Sequence, residues 1–377
     1  MNSSTASTAS AAGAFERAAG HRRRFDAAFE KYFAELSGDL NGAHLGRFPS
    51  RCLELLAQLS LRGGKRIRTT LLYEAAALAT REEIPGLTEA ALSLELLHSH
   101  ALILDDIMDD SPLRRGGPST YYACRADLPD HPQAALGLAM MTGDLAGFLA
   151  LRVLFDADLP ADRKQAMLDV QLGVTTDTVI GQVLDLERDV HPSAAEGDEG
   201  EEGEEGEQAL LETVCEYKTS RYTILAPMRL GLLAAGQDLA EHEESLHRYA
   251  RLAGLSGQMR DDYLDLFGDP GLTGKPSGAD LRAGRHTYLT RELLAATDGD
   301  DHETVRAALA DPGCTPEVID RVRSIAHRHD IPARVQADID RHAHAAAAEA
   351  ASWHRHWNGE AVALFEQLPL WNTRRTR

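Results

Sequence analysis

Two clusters of carboxylates carry the strongest chemical signal in this chain. Asp105, Asp106 and Asp109 form the first, and Asp261, Asp262 and Asp265 the second, both written Asp-Asp-x-x-Asp at the end of an apolar stretch. A helix turns about 100° per residue, so positions one, two and five should fall within one sector and project three carboxylates to one side. Such oxygen ligands suit hard divalent cations. Mg²⁺ in particular takes one or two carboxylates and fills its remaining positions with water and substrate phosphates. The basic residues follow the same logic. Gly63-Gly64-Lys65-Arg66-Ile67-Arg68 places three cations behind a glycine pair, and Arg114-Arg115 lies just past the first acids. Clustered acids repel one another unless cations sit among them, while Lys and Arg heads bind phosphate. A metal-bound diphosphate reconciles both charge sets.

Other residues give less. Lys218-Thr219 within YKTSRYT, and Gly274-Lys275-Pro276 with Asp280, are weak signals that gain weight only from their position. No GxxxxGK[ST] loop, GxGxxG, GxSxG elbow or HExxH occurs. His327, His329, His342, His344, His354 and His356 are spaced irregularly and read as a solvated helix face.

The elements that must position these groups are helices. Apolar residues recur at spacings of three and four almost throughout, and alternating β-branched runs are scarce, so the fold class is all-α. Stretches such as Phe15 to Leu36, Leu87 to Asp110, Ala134 to Asp156, Ala161 to Asp189, Gln208 to Ala235, Glu241 to Phe267 and Ala333 to Leu368 read as helices. Their length and broad apolar faces predict a single large bundle around a central cavity, with a flexible segment over residues 1–15 and one domain over 16–377. Pro112 with the Gly116-Gly117 pair, and Gly268-Asp269-Pro270-Gly271, should end the two acidic helices. With 377 residues, 43% of them hydrophobic, the chain has ample material for a core. Its net charge of −20 argues against nucleic acid or an anionic membrane as partner. Much of that charge lies in EGDEGEEGEEGEQ, Glu196 to Gln208, read as part of a disordered acidic loop at about 192–208. Four scattered cysteines read as reduced thiols, the N-terminus lacks a secretory pattern, and no unbroken apolar run reaches about 18 residues, so no transmembrane segment and a cytoplasmic location are expected.

Six segments occur in an order that resembles the trans-isoprenyl diphosphate synthases, or polyprenyl synthetases, from about residue 50 to about 290. They are GGKRIR, LELLH, DDIMDDSPLRRG, GQVLDL, YKTSRYT and GQMRDDYLDLFGDPGLTGKPSGADLRAGRHT. The resemblance implies an all-α bundle, usually a homodimer, that condenses isopentenyl diphosphate with an allylic diphosphate. By it, Asp105, Asp106 and Asp109 would hold two Mg²⁺ ions and Asp261, with Asp262 and Asp265, a third. Lys65, Arg68, His98 and Arg115 would bind isopentenyl diphosphate. Arg114, Lys218, Thr219, Gln258, Lys275 and Arg285 would bind the allylic diphosphate. His100 and Ala101, five and four residues before the first aspartate, would set product length, and a medium His beside a small Ala suggests a C20 product, geranylgeranyl diphosphate. Departures from the family pattern are peripheral: Leu104 replaces a common His, Thr69 a common Pro, Gly257 a common Phe and Arg285 a common Lys. A class I terpene cyclase would not need GGKRIR and His98, and a silent regulatory subunit would have lost aspartates.

Overall fold

The computed structural model describes residues 2–41, 46–190, 201–273, 277–309 and 311–376. Among them nearly everything is helical, and the only sheet is a two-stranded hairpin. The chain forms two compact units, Met1–Gln171 with Pro227–Leu239, and Leu172–Ala226 with Ala240–Arg377.

The first unit begins with α1 (Asn2–Asn41), which reaches back through the residues expected to be flexible. That first stretch is rich in Ala, the strongest helix former. Phe25, Phe29 and Phe33 repeat every four residues along α1 and are buried. Next come α2 (Arg47–Leu61), α3 (Ile67–Ala79) and α4 (Leu87–Met108). Nearly every side chain of α4 from Ala90 to Leu97 is buried, as its all-round apolar sequence requires. Its partner is α6 (Pro132–Asp156), which also meets α5 (Thr120–Asp127) and α2. Ala135, Ala139, Gly143, Ala146 and Ala150 line the buried face of α6, and their small size lets the helices approach closely. By length and mean hydropathy (1.6) alone α6 is long and apolar enough to cross a membrane, a test that a core helix also passes. Asp144 and Arg152 break any continuous apolar run, yet the average over the helix remains high.

Between α4 and α5 the chain turns through β1 (Leu113–Arg114) and β2 (Gly117–Pro118), paired antiparallel. The two residues at the tip, Arg115 (φ 52°) and Gly116 (φ 74°), both have positive φ, the pattern of the tight turns that match strand twist. Arg62, at the end of α2, donates to the carbonyls of Pro118 (2.6 Å) and Arg114 (3.4 Å). Its guanidinium lies where a side chain on Gly117 would be, 2.6 Å from the ideal Cβ.

In the second unit, α7 (Ala161–Val190) contributes its residues from 172 onward. α8 (Glu201–Cys215), a π-helix (Glu216–Leu225) and α9 (Ala226–Ala234) follow, the last lying in the first unit from Pro227 on. Residues 201–208, expected to be loop, thus open α8. Glu is a good helix former, and acidic residues are favoured in a first helical turn. The rest of that tract, 191–200, lies outside the described residues. The uninterrupted helix expected over Gln208 to Ala235 contains the π-helix instead, squeezed between two neighbours. A Cβ on Gly181 of α7 would stand 2.7 Å from the backbone nitrogen of Lys218, and one on Gly254 would stand 1.9 Å from Ser220 Oγ. The remaining helices are α10 (Glu243–Phe267), α11 (Pro270–Thr273), α12 (Ala279–Ala283), α13 (Tyr288–Ala296), α14 (Gly299–Ala308), α15 (Pro316–Arg328), α16 (Ile331–Ser352) and α17 (Gly359–Asn372). The single helix expected from Ala333 to Leu368 is broken near Asn358, which caps α17 by accepting from the Glu360 N–H. α10 packs on α16, α17 and the π-helix, and its buried Tyr249 donates to the Phe365 carbonyl (3.0 Å).

Candidate active site

The first acidic cluster ends α4, and its three carboxylates all act on Arg114 but differ in burial. Asp106 is buried, Asp105 is half-buried and Asp109 is exposed. The difference in burial follows from the helical step: position five lies about 40° from position one, whereas position two lies about 100° from it and turns toward the protein. Arg114, on β1, spans the pair, with Nε 2.7 Å from Asp106 Oδ1 and a terminal nitrogen 3.1 Å from Asp105 Oδ2. Burial raises the Asp106 pKa, and Arg114 only partly offsets this. Asp106 Oδ2 is buried with no hydrogen-bond partner, a carboxylate oxygen that a divalent cation would satisfy. Among the described residues no three His, Cys, Asp or Glu side chains converge as a ready metal cage. A cation that takes one or two carboxylates and completes its shell with water and phosphate needs none.

The basic loop lies in the same unit. Gly63 (φ 87°) and Gly64 (φ 152°) adopt backbone conformations that other residues rarely take, and the Arg115 guanidinium packs over Gly64, 3.2 Å from its ideal Cβ. Lys65 is exposed, Arg68 half-buried and Arg66 buried. On α4, His98 is held well below its ordinary pKa, first by burial and then by the charges of Arg68, Arg115, Arg66 and Arg114. Burial, joined by the other arginines, likewise depresses Arg115. A neutral imidazole among crowded guanidinium groups is a site built for a polyanion. Arg68, His98 and Arg115, three of the four residues expected to bind one diphosphate, therefore share one electrostatic neighbourhood, while the fourth, Lys65, stands exposed on the same loop.

His100 and Ala101 lie further back on α4, both half-buried. The His100 ring leans on α6: Nδ1 lies 2.9 Å from the Gly143 carbonyl, and the ring fills the space beside Gly147, 3.3 Å from its ideal Cβ. A carbonyl only accepts, so Nδ1 carries the proton.

The second cluster ends α10 and repeats the burial pattern. Asp262 is buried while Asp261 is exposed, so here too the second acid turns inward. Asp262 accepts from Gln258 Nε2 (2.9 Å) and from the Tyr288 backbone N–H (3.3 Å). Its pKa is pushed well above the usual carboxylate range, first by burial and then by the charge of Asp280. Asp265 accepts from the backbone N–H groups of Ala279 (3.2 Å) and Asp280 (3.1 Å), anchoring the start of α12. Asp261 meets Arg375 in an ion pair.

A cavity of about 130 Å³ opens beside this cluster. Lys218, Thr219, Gln258, Asp262 and Arg285, all singled out from sequence, line it together with Asp185, Asp280, His286 and Thr287, while Leu211, Val214, Cys215 and Tyr288 form an apolar side. Lys218 and Thr219 sit on the π-helix, and such segments concentrate at functional sites. Lys218 Nζ is 2.7 Å from Asp185 Oδ2, and Thr219 Oγ1 is 3.5 Å from Gln258 Oε1. Lys275 lies outside the described residues. Sequence reasoning singled out Asp280 only as a weak signal and missed Asp185, His286 and Thr287 as lining residues, although Asp185 stands within GQVLDL, a segment quoted for the resemblance.

A profile of the polyprenyl synthetase family matches residues 49–325, which takes in both acidic clusters, the basic loop and the cavity residues. The chain belongs to the polyprenyl synthetase family. Curated relatives agree: the enzyme is 33% identical over 63% of its length to 73% of farnesyl diphosphate synthase from Escherichia coli, and 32% identical over 68% of its length to 72% of geranylfarnesyl diphosphate synthase from Natronomonas pharaonis. The crystal structure of geranylgeranyl pyrophosphate synthase from Corynebacterium glutamicum, complexed with isoprenyl diphosphate and magnesium, superposes with a TM-score of 0.82 at 27% identity, covering 94% of this chain and 99% of that one. Family and fold make the protein a prenyltransferase of isoprenoid biosynthesis with an all-α architecture.

Proposed function

We propose that the enzyme condenses isopentenyl diphosphate with a dimethylallyl, geranyl or farnesyl diphosphate to give a linear trans-prenyl diphosphate, with geranylgeranyl diphosphate as the main product. The observation that carries this reading is the neutral His98 set among arginines in the first unit, a polyanion site in addition to the acidic clusters. Lys65, Arg68, His98 and Arg115 bind the isopentenyl diphosphate. Lys218, Thr219, Gln258, Lys275 and Arg285, and Arg114 beside the first acids, serve the allylic diphosphate. The donor sets fit Mg²⁺: Asp105, Asp106 and Asp109 would hold two ions, and Asp261, with Asp262 and Asp265 near it, a third. When bound, Mg²⁺ neutralises charge on the departing diphosphate. Lys218 and Arg285 add fixed positive charge as the C–O bond breaks, lowering the barrier to an allylic cation. The alkene of isopentenyl diphosphate forms the new C–C bond, and the proton it sheds passes to the released diphosphate.

Two further parts of the reading rest on geometry. A His100 ring held by α6 supports a floor of intermediate depth, consistent with a C20 product. A homodimer is supported by the outer stripe of α6, where Met141, Phe148 and Phe155 are exposed at a spacing of seven, one helix face. The test is incubation with Mg²⁺, isopentenyl diphosphate and each allylic primer in turn, followed by dephosphorylation and mass spectrometry. A discrete C20 alcohol supports the full reading, and another linear length removes only the product assignment. Cyclic hydrocarbon from a single substrate, or no turnover, refutes it.

A further inference from the structure

Arg66 is the one cation of the basic loop that the substrate reading leaves without a role. It is 5% exposed, and it adopts a left-handed backbone (φ 49°) that only a few per cent of non-glycine residues take. That conformation swings the guanidinium inward while its neighbour Lys65 stays exposed. Every edge of the group is held. Nε donates to Asp26 of α1 (2.9 Å), one terminal nitrogen to Glu95 of α4 (2.8 Å) and the other to the Ser60 carbonyl of α2 (2.8 Å). The rings of Phe25 and Phe29 lie 5.3 and 5.4 Å from its central carbon. Glu95, also buried, takes its second hydrogen bond from Thr69 Oγ1 (3.0 Å).

We infer that Glu95 and Asp26 are positioning residues for isopentenyl diphosphate binding: through Arg66 they fix the strained turn that aims Lys65 and Arg68. This rests on the assignment of Lys65, Arg68, His98 and Arg115 to that substrate. The physical argument is preorganisation. Lys and Arg side chains lose affinity when their backbone wanders, and an ångström of misplacement at a reacting site costs up to about a hundredfold in rate. A buried Arg–Glu pair gives little net stability compared with apolar replacements, but it fixes geometry. Glu95 lies one helical turn before His98 on α4, so the pair also ties the loop to the helix that carries the fourth ligand.

The experiment measures steady-state kinetics with each substrate varied against saturating co-substrate, alongside thermal melting. Glu95→Gln and Asp26→Asn are expected to raise KM for isopentenyl diphosphate by about tenfold, with KM for the allylic substrate within about twofold of wild type. Because Glu95→Gln strands Arg66, the double variant Arg66→Met/Glu95→Leu accompanies it. That variant should recover melting temperature while keeping the KM defect, which a purely structural pair would not do. Unchanged KM for isopentenyl diphosphate in Asp26→Asn and in the double variant overturns the inference, as does an equal rise for both substrates. Lys65→Ala and Arg68→Ala separate the two levels. If they leave KM for isopentenyl diphosphate unchanged, the substrate assignment itself fails.

Discussion

Replacing Gly181 by Ala tests how the π-helix carrying Lys218 and Thr219 is held. The added Cβ would stand 2.7 Å from the Lys218 nitrogen, 3.0 Å from Tyr217 Cβ and 3.1 Å from Lys218 Cα, and none of these atoms is the tip of a flexible side chain. Ordinary contact begins at 3.4 Å, so the π-helix must retreat from α7 by about 0.7 Å at its closest point. Overpacking of this size costs about 1–3 kcal/mol, and each kcal/mol lowers the melting temperature of a unit this large by about 2–4 °C. The same retreat stretches the 2.7 Å bond between Lys218 and Asp185 on the cavity wall, so kcat/KM should fall by about tenfold to a hundredfold. Gly173 lies on the same helix with nothing within 4 Å of its ideal Cβ. Gly173→Ala should therefore stabilise by about 0.5–1 kcal/mol and leave turnover unchanged. The assay pairs calorimetry or circular dichroism melting with product formation for both variants. A Gly181→Ala enzyme with wild-type melting and turnover would falsify the account of the π-helix as squeezed against α7.

Further expectations are independent of that one. Asp105→Ala should reduce turnover by orders of magnitude and leave melting nearly unchanged, since this half-buried acid contributes charge and little packing; a well-folded, active variant refutes its metal role. Burial raises Cys124 to about 11 and Cys215 to about 12, so both thiols stay protonated as pH rises through 8, where roughly a thousandth or less is thiolate. Native protein at pH 8 should thus label neither with a thiol reagent, whereas denatured protein should label all four cysteines, and rapid native labelling of either contradicts their burial. Phe148→Lys places a charge in the exposed stripe of α6 and should shift the protein to monomer in light scattering; a monomeric wild type removes the dimer reading. His100→Ala removes the ring between α4 and α6 and should lengthen the product by at least one C5 unit, and an unchanged product length sets the floor elsewhere.

The sequence by itself determined where most of the long helices lie and which charges they carry. Long runs of apolar residues at three- and four-residue spacing are local information, and α4, α7 and α10 lie close to where that spacing put them. The acid clusters at two helix ends, the cations behind two glycines and the order of six segments were likewise readable, because residue type and spacing alone define them. Tertiary structure decided the direction of each side chain. In both clusters the second aspartate is the buried one, since the surrounding helices, not the spacing, select which 100° step faces inward. Arg66 and Lys65 are adjacent and equally basic, yet a left-handed backbone beside Asp26 and Glu95 buries one and exposes the other. The π-helix meets its neighbours at Gly181 and Gly254, which admit close approach from separate helices, and Asp185 joins the cavity beside it. Each of these depends on contacts between residues far apart in the chain, which no local pattern encodes.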